Sequence, residues 1–447
     1  MFANLFFLII NLLLISSTID QTASPALAKE PGMAFILFIG SSLVLLLFIF
    51  LQSAWLHDKL HYGKERILLI VNIEFLLFLS AFYFIAGSQR WPIATFNPYG
   101  ATIFSMISFF IYFTGLLTSQ YAIERIHNRH APLKNAWLSI CFLLPFIIPF
   151  MLLTFISDTS ELFPYANILT TLGIHEDSLL NLVLFIFLNL AIVISTLIFL
   201  PPLAVLIWHC PKLKNSELKT ELDDLCRRAN FKHAGLRVWR IFNNSMTAAI
   251  IGVVGMFRYI LFTQNLLESV PNRAIVAVLA HEIGHSFHKH LFFYPLILMG
   301  MIITGSLASI FIFIPLMRAI HLDEYFPSLI PVLLFILFGL TMAVYFRYVF
   351  GYFSRIFERQ ADLHVFKLDI PASDMMEALD ILAVSAGNVH DEPNWHHYGI
   401  QQRMNFLNKA DKDRSLIGKH ARRVRLSLAI YVILLIAFTF ALGLAYS

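Results

Sequence analysis

The sequence is built around long apolar segments that carry few or no charged residues, and these constrain the fold more than any other feature. A helix needs about 20 mostly apolar residues to cross the hydrocarbon core of a bilayer. In lipid every backbone polar group must be satisfied within its own segment, so the segments predict helices. Eight segments qualify: 33–55, 67–86, 101–120, 136–157, 179–208, 291–316, 327–350 and 427–445. A shorter apolar run at 2–16 is either the core of a signal-like segment or a ninth span.

Composition supports a membrane protein. Hydrophobic residues make up 58% of the chain and charged residues only 13%, whereas soluble domains have about 25% charged residues. This excludes a soluble globular enzyme, a disordered protein and a fibrous protein. The net charge of +4 is small and largely confined to loops, so we expect no nucleic-acid partner. The fold class predicted from the apolar segments is a polytopic α-helical membrane protein with eight or nine spans.

The basic residues of the loops predict the orientation of the spans. Loops 56–66 and 121–135 each carry three Lys or Arg residues, whereas the intervening loops 87–100 and 158–178 carry one and none. Loops rich in Lys and Arg face the cytosol. Counting the spans onward places the two long polar segments, 209–290 and 351–426, in the cytosol as well. Each segment is short for an independent domain, so we expect the two to form one cytosolic domain together.

The predicted organisation therefore alternates membrane and polar segments. It begins with an N-terminal signal-like or anchor segment (1–32) and a five-span membrane domain (33–208). The first polar half (209–290), a two-span insertion (291–350), the second polar half (351–426) and a C-terminal span (427–447) follow. Within the polar halves, short strands are predicted at 235–241, 246–252 and 257–262. Helices are predicted at 215–229, from Pro271 to about 290, and at 351–367, 372–387 and 399–409.

The helix after Pro271 contains the sequence HEIGH, with His281, Glu282 and His285. Two histidines at i and i+4 lie one turn apart on the same helix face, so both imidazoles can reach one zinc ion. Glu282 projects beside them, where it can take a proton from a metal-bound water. His288 and His290 follow, and the spacing predicts that both are surface residues at the membrane boundary.

A catalytic zinc requires a third protein ligand and an open position for water. The segment SRIFERQADLH at 354–364 offers Glu358 and Asp362, at i and i+4 of a predicted helix. Glu358 can be the third ligand, and Asp362 can accept a hydrogen bond from a ligand imidazole and fix its tautomer. The alternative for this pattern is the solvated face of a charged helix.

HEIGH, two membrane spans and SRIFERQAD together resemble the membrane zinc endopeptidases typified by the type I CAAX prenyl protease and the bacterial protease HtpX. The resemblance covers roughly residues 210–410. It implies an α+β zincin-like catalytic domain assembled from the two polar segments. It also implies one Zn²⁺ per chain, held by His281, His285 and Glu358, with Glu282 as general base and Asp362 behind the ligands.

Two further segments resemble sequence patterns of this family, and each differs from the family pattern at one residue. The family has an Asn-Ala edge strand that binds substrate beside the site, and here Thr247 stands where the Asn is usual, followed by Ala248 and Ala249. The family also has a His-Pro with an Arg six residues after the His, which corresponds to His397 and Arg403. The resemblance implies transition-state stabilisation by His397 and a substrate or site-ordering contact for Arg403. Tyr398 replaces the Pro.

These expectations predict a zinc metalloendopeptidase that hydrolyses membrane-associated or unfolded polypeptides through a water activated by zinc and Glu282. The predicted location is the bacterial inner membrane, with the catalytic domain facing the cytosol. The alternative is an inactive polytopic scaffold or transporter with a vestigial HExxH. The sequence does not specify the physiological substrate or the oligomeric state.

Overall fold

The computed structural model describes residues 31–81, 99–126, 131–162, 191, 194–196, 198–241, 245–326, 329–385 and 398–446. The chain divides into two compact units, Met1–Trp208 and His209–Ser447. The described part of each unit is mainly helical, in agreement with the predicted fold class.

The described residues of unit 1 include the helices α1 (Pro31–Asp58), α2 (Lys64–Ala81), α3 (Gly100–Ile126), α4 (Pro132–Ile140) and α5 (Leu144–Leu162). A 3-10 turn, Cys141–Leu143, joins α4 to α5, and α3 packs against the other four helices. Hydrogen bonds between side chains connect α3 to its neighbours. Tyr112 donates to Asn72 at 2.5 Å, and the Ser53 and Ser119 hydroxyls lie 2.8 Å apart. Such bonds help apolar helices to associate where burial from water gives no driving force.

Unit 2 contains three strands and eleven α-helices in its described residues. The strands are β1 (Gly235–Trp239), β2 (Ala248–Ile251) and β3 (Tyr259–Thr263). The helices are α6 (Glu217–Arg228), α7 (Gln264–Ser269), α8 (Asn272–Phe287), α9 (His290–Ala308), α10 (Ile314–Ala319), α11 (Leu322–Tyr325), α12 (Ile330–Tyr345), α13 (Gly351–Asp362), α14 (Ala372–Ser385), α15 (Ile400–Lys412) and α16 (Ser415–Tyr446).

In the part of the chain that the structure describes, six helical segments are long and apolar enough to cross a membrane: Phe35–Asp58, Thr102–Ile126, Pro132–Leu152, His290–Ala319, Leu333–Leu368 and Ser415–Ala441. Only 11% of the apolar window in Ser415–Ala441 is buried within the protein. So much exposed apolar surface is unfavourable in water, and its length matches a bilayer. The span His290–Ala319 contains a π-helical turn at Ser309–Phe313, just before Pro315. Proline lacks the N–H of a regular helical bond, so the wider turn absorbs the break.

The six segments overlap six of the eight predicted spans. The predicted span 67–86 is described only as far as Ala81, and helix α2 carries four charged residues, which keep it outside this set. The predicted span 179–208 is described as a shorter apolar helix, Ile194–Ile207. The apolar run 2–16 lies outside the described residues, so the number of spans stays a prediction.

The three strands form one mixed sheet with the order β1–β3–β2. β1 pairs with β3 in parallel, and β2 pairs with β3 antiparallel. β2 is therefore an edge strand of the described sheet. All three strands predicted from the sequence are present, and their ends differ from the predicted ends by at most two residues.

Helix α8 is the centre of the hydrophobic core of unit 2. It contacts α6, β2, α13 and α14, and its residues Ala274, Ile275 and Leu279 are fully buried. They pack with Phe262 of β3 and Leu379 of α14, among others. The small side chains on α8 allow the neighbouring elements to approach closely, which fixes the helix that carries HEIGH.

Gly284, the glycine of HEIGH, lies where α8 approaches α13 most closely. A Cβ atom at this position would lie 2.7 Å from the Cβ of His364 and 3.1 Å from the Cα of Ala361. Neither of these two atoms moves when a side chain changes rotamer, so the clash could be relieved only by a shift of the backbone. The approach of the two helices therefore requires glycine here.

We expect Gly284→Ala to lower the free energy of unfolding by about 1–3 kcal/mol, the usual cost of overpacking a core. Thermal unfolding of the detergent-purified protein measures this. The matched control is Gly418→Ala on α16, where nothing lies within 4 Å of an added Cβ. A Gly284→Ala variant as stable as the control would contradict the packing argument.

Candidate metal centre and active site

Three side-chain donors from two helices converge in unit 2. The Nε2 atoms of His281 and His285, one turn apart on α8, lie 3.1 Å from each other. Glu358 of α13 places Oε1 at 3.4 Å from His285 Nε2 and Oε2 at 3.6 Å from His281 Nε2. All three residues are buried or nearly so. Among the described residues, this is the group of His, Cys, Asp and Glu side chains that could hold a metal ion.

The spacing of these donors fits zinc. Donor atoms bound to a tetrahedral zinc at ~2.0–2.1 Å lie roughly 3.3–3.4 Å apart. The two Nε2 atoms, at 3.1 Å, and the contacts of each with one of the two Glu358 oxygens, at 3.4 and 3.6 Å, are close to this spacing. Three protein donors leave one coordination position open, as in catalytic rather than structural zinc sites. The charges fit as well. Arg403 interacts with Glu282, Glu358 and Asp362. Counting these three ionised carboxylates, one guanidinium and neutral imidazoles, the cluster carries two excess negative charges, which a divalent cation would balance.

Asp362 and Arg403 hold His281 in place. Asp362 Oδ1 lies 2.9 Å from His281 Nδ1, so a proton on Nδ1 leaves Nε2 free as a metal donor. Arg403 of α15 donates two hydrogen bonds to the same carboxylate, at 2.9 Å from Nε and 2.6 Å from Nη2. Burial disfavours the charge of Arg403, but Asp362 and Glu358 more than compensate and raise the pKa of its guanidinium.

Glu282 lies on α8 between the two histidines. It interacts electrostatically with His281, His285, Glu358 and Arg403, which places it at the site. Burial raises the pKa of its carboxyl, and the two imidazoles oppose this shift. A carboxyl group with a raised pKa is suited to exchanging protons with a reacting water.

The prediction that His290 is a surface residue is wrong. Its side chain is 1% exposed, and its ring lies parallel to that of Phe357 with centroids 4.3 Å apart. Its Nδ1 lies 2.9 Å from His285 Nδ1, and its Nε2 lies 3.0 Å from Gln360 Oε1. Helical periodicity from HEIGH did not reveal His290 or Gln360, because α8 ends at Phe287 and the chain changes direction before His290.

The remaining predicted site residues lie on or near β2. Thr247 precedes the strand, with its N–H donating to Thr263 Oγ1 at 3.0 Å, and Ala248 and Ala249 lie within it. His397 lies outside the described residues. Tyr398, which replaces the family's proline, packs against the guanidinium of Arg359 with its ring centroid 3.9 Å away.

We expect Asp362→Asn to weaken zinc binding about 10- to 100-fold, the usual effect of losing a partner of a metal-bound histidine. It should also cost about 3–5 kcal/mol of stability, because Arg403 would stay buried without its counter-charge. Zinc titration and thermal unfolding measure the two effects.

The matched control is Glu377→Gln. Glu377 accepts two hydrogen bonds from Arg273 in the same paired geometry, at 2.8 and 3.0 Å, but at the surface. Water screens exposed pairs, so this variant should leave both quantities nearly unchanged. Equal effects of the two substitutions would show that burial of the Asp362 pair does not matter.

Comparison with known proteins agrees with this geometry. No curated protein matches the sequence. The crystal structure of S. mikatae Ste24p is similar at 15% identity, covering 86% of this chain and 100% of that chain with a TM-score of 0.39. Residues 212–407 match the sequence model of Peptidase family M48. The match spans HEIGH, Glu358, Asp362 and Arg403 and confirms the resemblance to membrane zinc endopeptidases over these residues.

Proposed function

We propose that the protein is a zinc-dependent membrane endopeptidase that hydrolyses peptide bonds of membrane-associated or unfolded polypeptides. The observation that carries this proposal is the donor triangle of His281, His285 and Glu358, with Glu282 beside it. A vestigial motif would not require the buried pair of Asp362 and Arg403 behind the donors. The alternative of an inactive scaffold or transporter is therefore not favoured.

In the proposed reaction, one zinc ion bound by the three donors supplies Lewis acidity towards water and the scissile carbonyl. Glu282 accepts the proton of the attacking water and delivers it to the leaving amine. Asp362 holds His281 in the tautomer that presents Nε2, and Arg403 keeps Asp362 ionised and oriented. The contacts of Arg403 support a site-ordering role more than a substrate contact. Stabilisation of the transition state by His397 remains part of the proposal.

The edge strand β2 supports binding of an extended substrate. Thr263 N donates to Thr247 O at 3.0 Å, which makes these residues a hydrogen-bonded pair of the ladder. Such pairs alternate along antiparallel strands, so the backbone groups of Ala248 and Ile250 point away from β3. A substrate segment can add there as a further strand. Of the predicted substrate contacts, Ala248 offers its backbone groups at this edge, whereas the backbone groups of Thr247 and Ala249 face β3. Contacts of Thr247 and Ala249 with substrate would therefore be made by their side chains.

An added strand requires an extended peptide, so folded domains are excluded as substrates at this edge. Unfolded chains, tails and segments leaving the bilayer satisfy the requirement. The location in a bacterial inner membrane also belongs to the proposal. The cytosolic orientation of the site is supported by the distribution of Lys and Arg among the loops.

We expect Glu282→Gln to retain zinc and to lower kcat by about 100- to 10,000-fold, the usual contribution of a general base. Cleavage of casein by detergent-purified protein measures this, with metal analysis of the same samples. The same assay is repeated with a zinc chelator, which should abolish cleavage by this protein and so distinguishes it from cleavage by contaminating proteases that do not need zinc. Wild-type cleavage by the variant would rule out Glu282 as the base.

We expect Glu358→Ala to lose bound zinc after dialysis, because two histidines alone form an incomplete site. Metal analysis of the dialysed protein measures the occupancy, and Glu282→Gln is the control that removes a carboxylate of the same cluster without removing a donor. Full occupancy in the Glu358→Ala protein would point to a different third ligand.

A further inference from the structure

His290 lies at the start of helix α9, beyond the end of the HEIGH helix. Lys289 takes the left-handed conformation, with φ 59° and ψ 30°, and turns the chain between the two helices. In a continuous helix, residue 290 would be rotated by about 140° from residue 285 and could not face it. The break instead returns the His290 ring to His285, with the two Nδ1 atoms 2.9 Å apart.

The hydrogen-bonding pattern then follows from where the protons must lie. His285 Nε2 faces the other two donors, so it must be unprotonated to bind a metal, and the neutral ring carries its proton on Nδ1. That proton is donated to His290 Nδ1. His290 therefore carries its own proton on Nε2, where Gln360 Oε1 accepts it at 3.0 Å. Each ring has one proton, and each of the three groups has its partner.

We propose that His290 is a positioning residue, which with Gln360 fixes the tautomer and the orientation of the His285 imidazole. The proposal rests on the zinc site of the proposed function. His290 does for His285 what Asp362 does for His281. Helix α13 thus supplies the third donor through Glu358, orients one imidazole through Asp362 and orients the other through Gln360 and His290.

A neutral acceptor suits this side of the site. The cluster of Glu282, Glu358, Asp362 and Arg403 already carries the charge that one divalent cation balances. A carboxylate in place of Gln360 would add a buried charge without a counter-ion, which is costly. The stacking of His290 on Phe357, which is fully buried, holds the imidazole ring in place between its two partners.

The test is the zinc affinity of the full-length protein in detergent, measured by competition with a chromogenic chelator. His290→Phe keeps a ring that can stack on Phe357 but removes both nitrogen atoms. We expect zinc binding about 10- to 100-fold weaker than in the wild type. His290→Asn places an amide oxygen near the position of Nδ1, where it can accept the proton of His285. We expect this variant to recover most of the affinity.

Gln360→Leu tests the outer bond and should weaken zinc binding in the same direction, by less than His290→Phe. The matched control is His288→Phe, because His288 stacks on His290 with centroids 5.7 Å apart but is not part of the hydrogen-bonded chain. It should bind zinc as the wild type does. At saturating zinc, KM for casein should be unchanged in all four variants, since none of these side chains is assigned to the substrate strand.

The outcomes separate the two proposals. A wild-type protein that does not bind zinc would overturn the proposed function and the positioning role with it. Zinc-binding wild type with equal affinity in His290→Phe would overturn the positioning role alone. So would a His290→Asn protein that binds zinc no more tightly than His290→Phe. If His290→Phe fails to fold, the comparison of His290→Asn and Gln360→Leu with His288→Phe decides the question.

Discussion

The close contact between α8 and α13 at Gly284 is the constraint on which the site depends. His281 and His285 are fixed relative to each other by one helical turn, but Glu358 comes from a helix that follows the apolar helices α9 and α12 in the sequence. Its distance from the two imidazoles is set by how closely the helices pack, and Gly284 lies against the Ala361 backbone. The geometry of the metal donors is therefore a property of core packing as much as of the ligands themselves.

The same packing buries several charged side chains, whose removal from water costs free energy. Taking three carboxylates and one guanidinium out of water is unfavourable unless each is hydrogen-bonded and the net charge is balanced. The two hydrogen bonds from Arg403 to Asp362 offset part of this cost. A divalent cation would balance the remaining negative charge, so metal binding and the stability of this unit should be coupled. Zinc would then contribute to the fold as well as to the chemistry.

The sequence predicted what depends on local periodicity. HEIGH placed two donors on one helix face, and the i, i+4 spacing of Glu358 and Asp362 placed both on one face of the next helix. What it missed depends on distances between segments. His290 was assigned to the surface because the predicted helix continued to 290, whereas the chain breaks at Lys289, and lysine is no signal for a left-handed residue. Gly284 and Gln360 acquire their roles only once α13 lies beside α8.

Under the proposed function, chain continuity favours substrates that come from the membrane. The HEIGH helix leads within three residues into the span His290–Ala319, and the helix that carries Glu358 directly continues the apolar helix α12 through a π-helical turn. Both halves of the site are thus extensions of helices that are long and apolar enough to cross a membrane. Under the proposed function, this would hold the site at the membrane boundary. The edge strand β2 offers backbone groups and the small side chains of Ala248 and Ala249. These do not select a particular substrate sequence, since backbone hydrogen bonding is common to all peptides. Under the proposed function, selectivity then comes from which extended segments can reach the boundary.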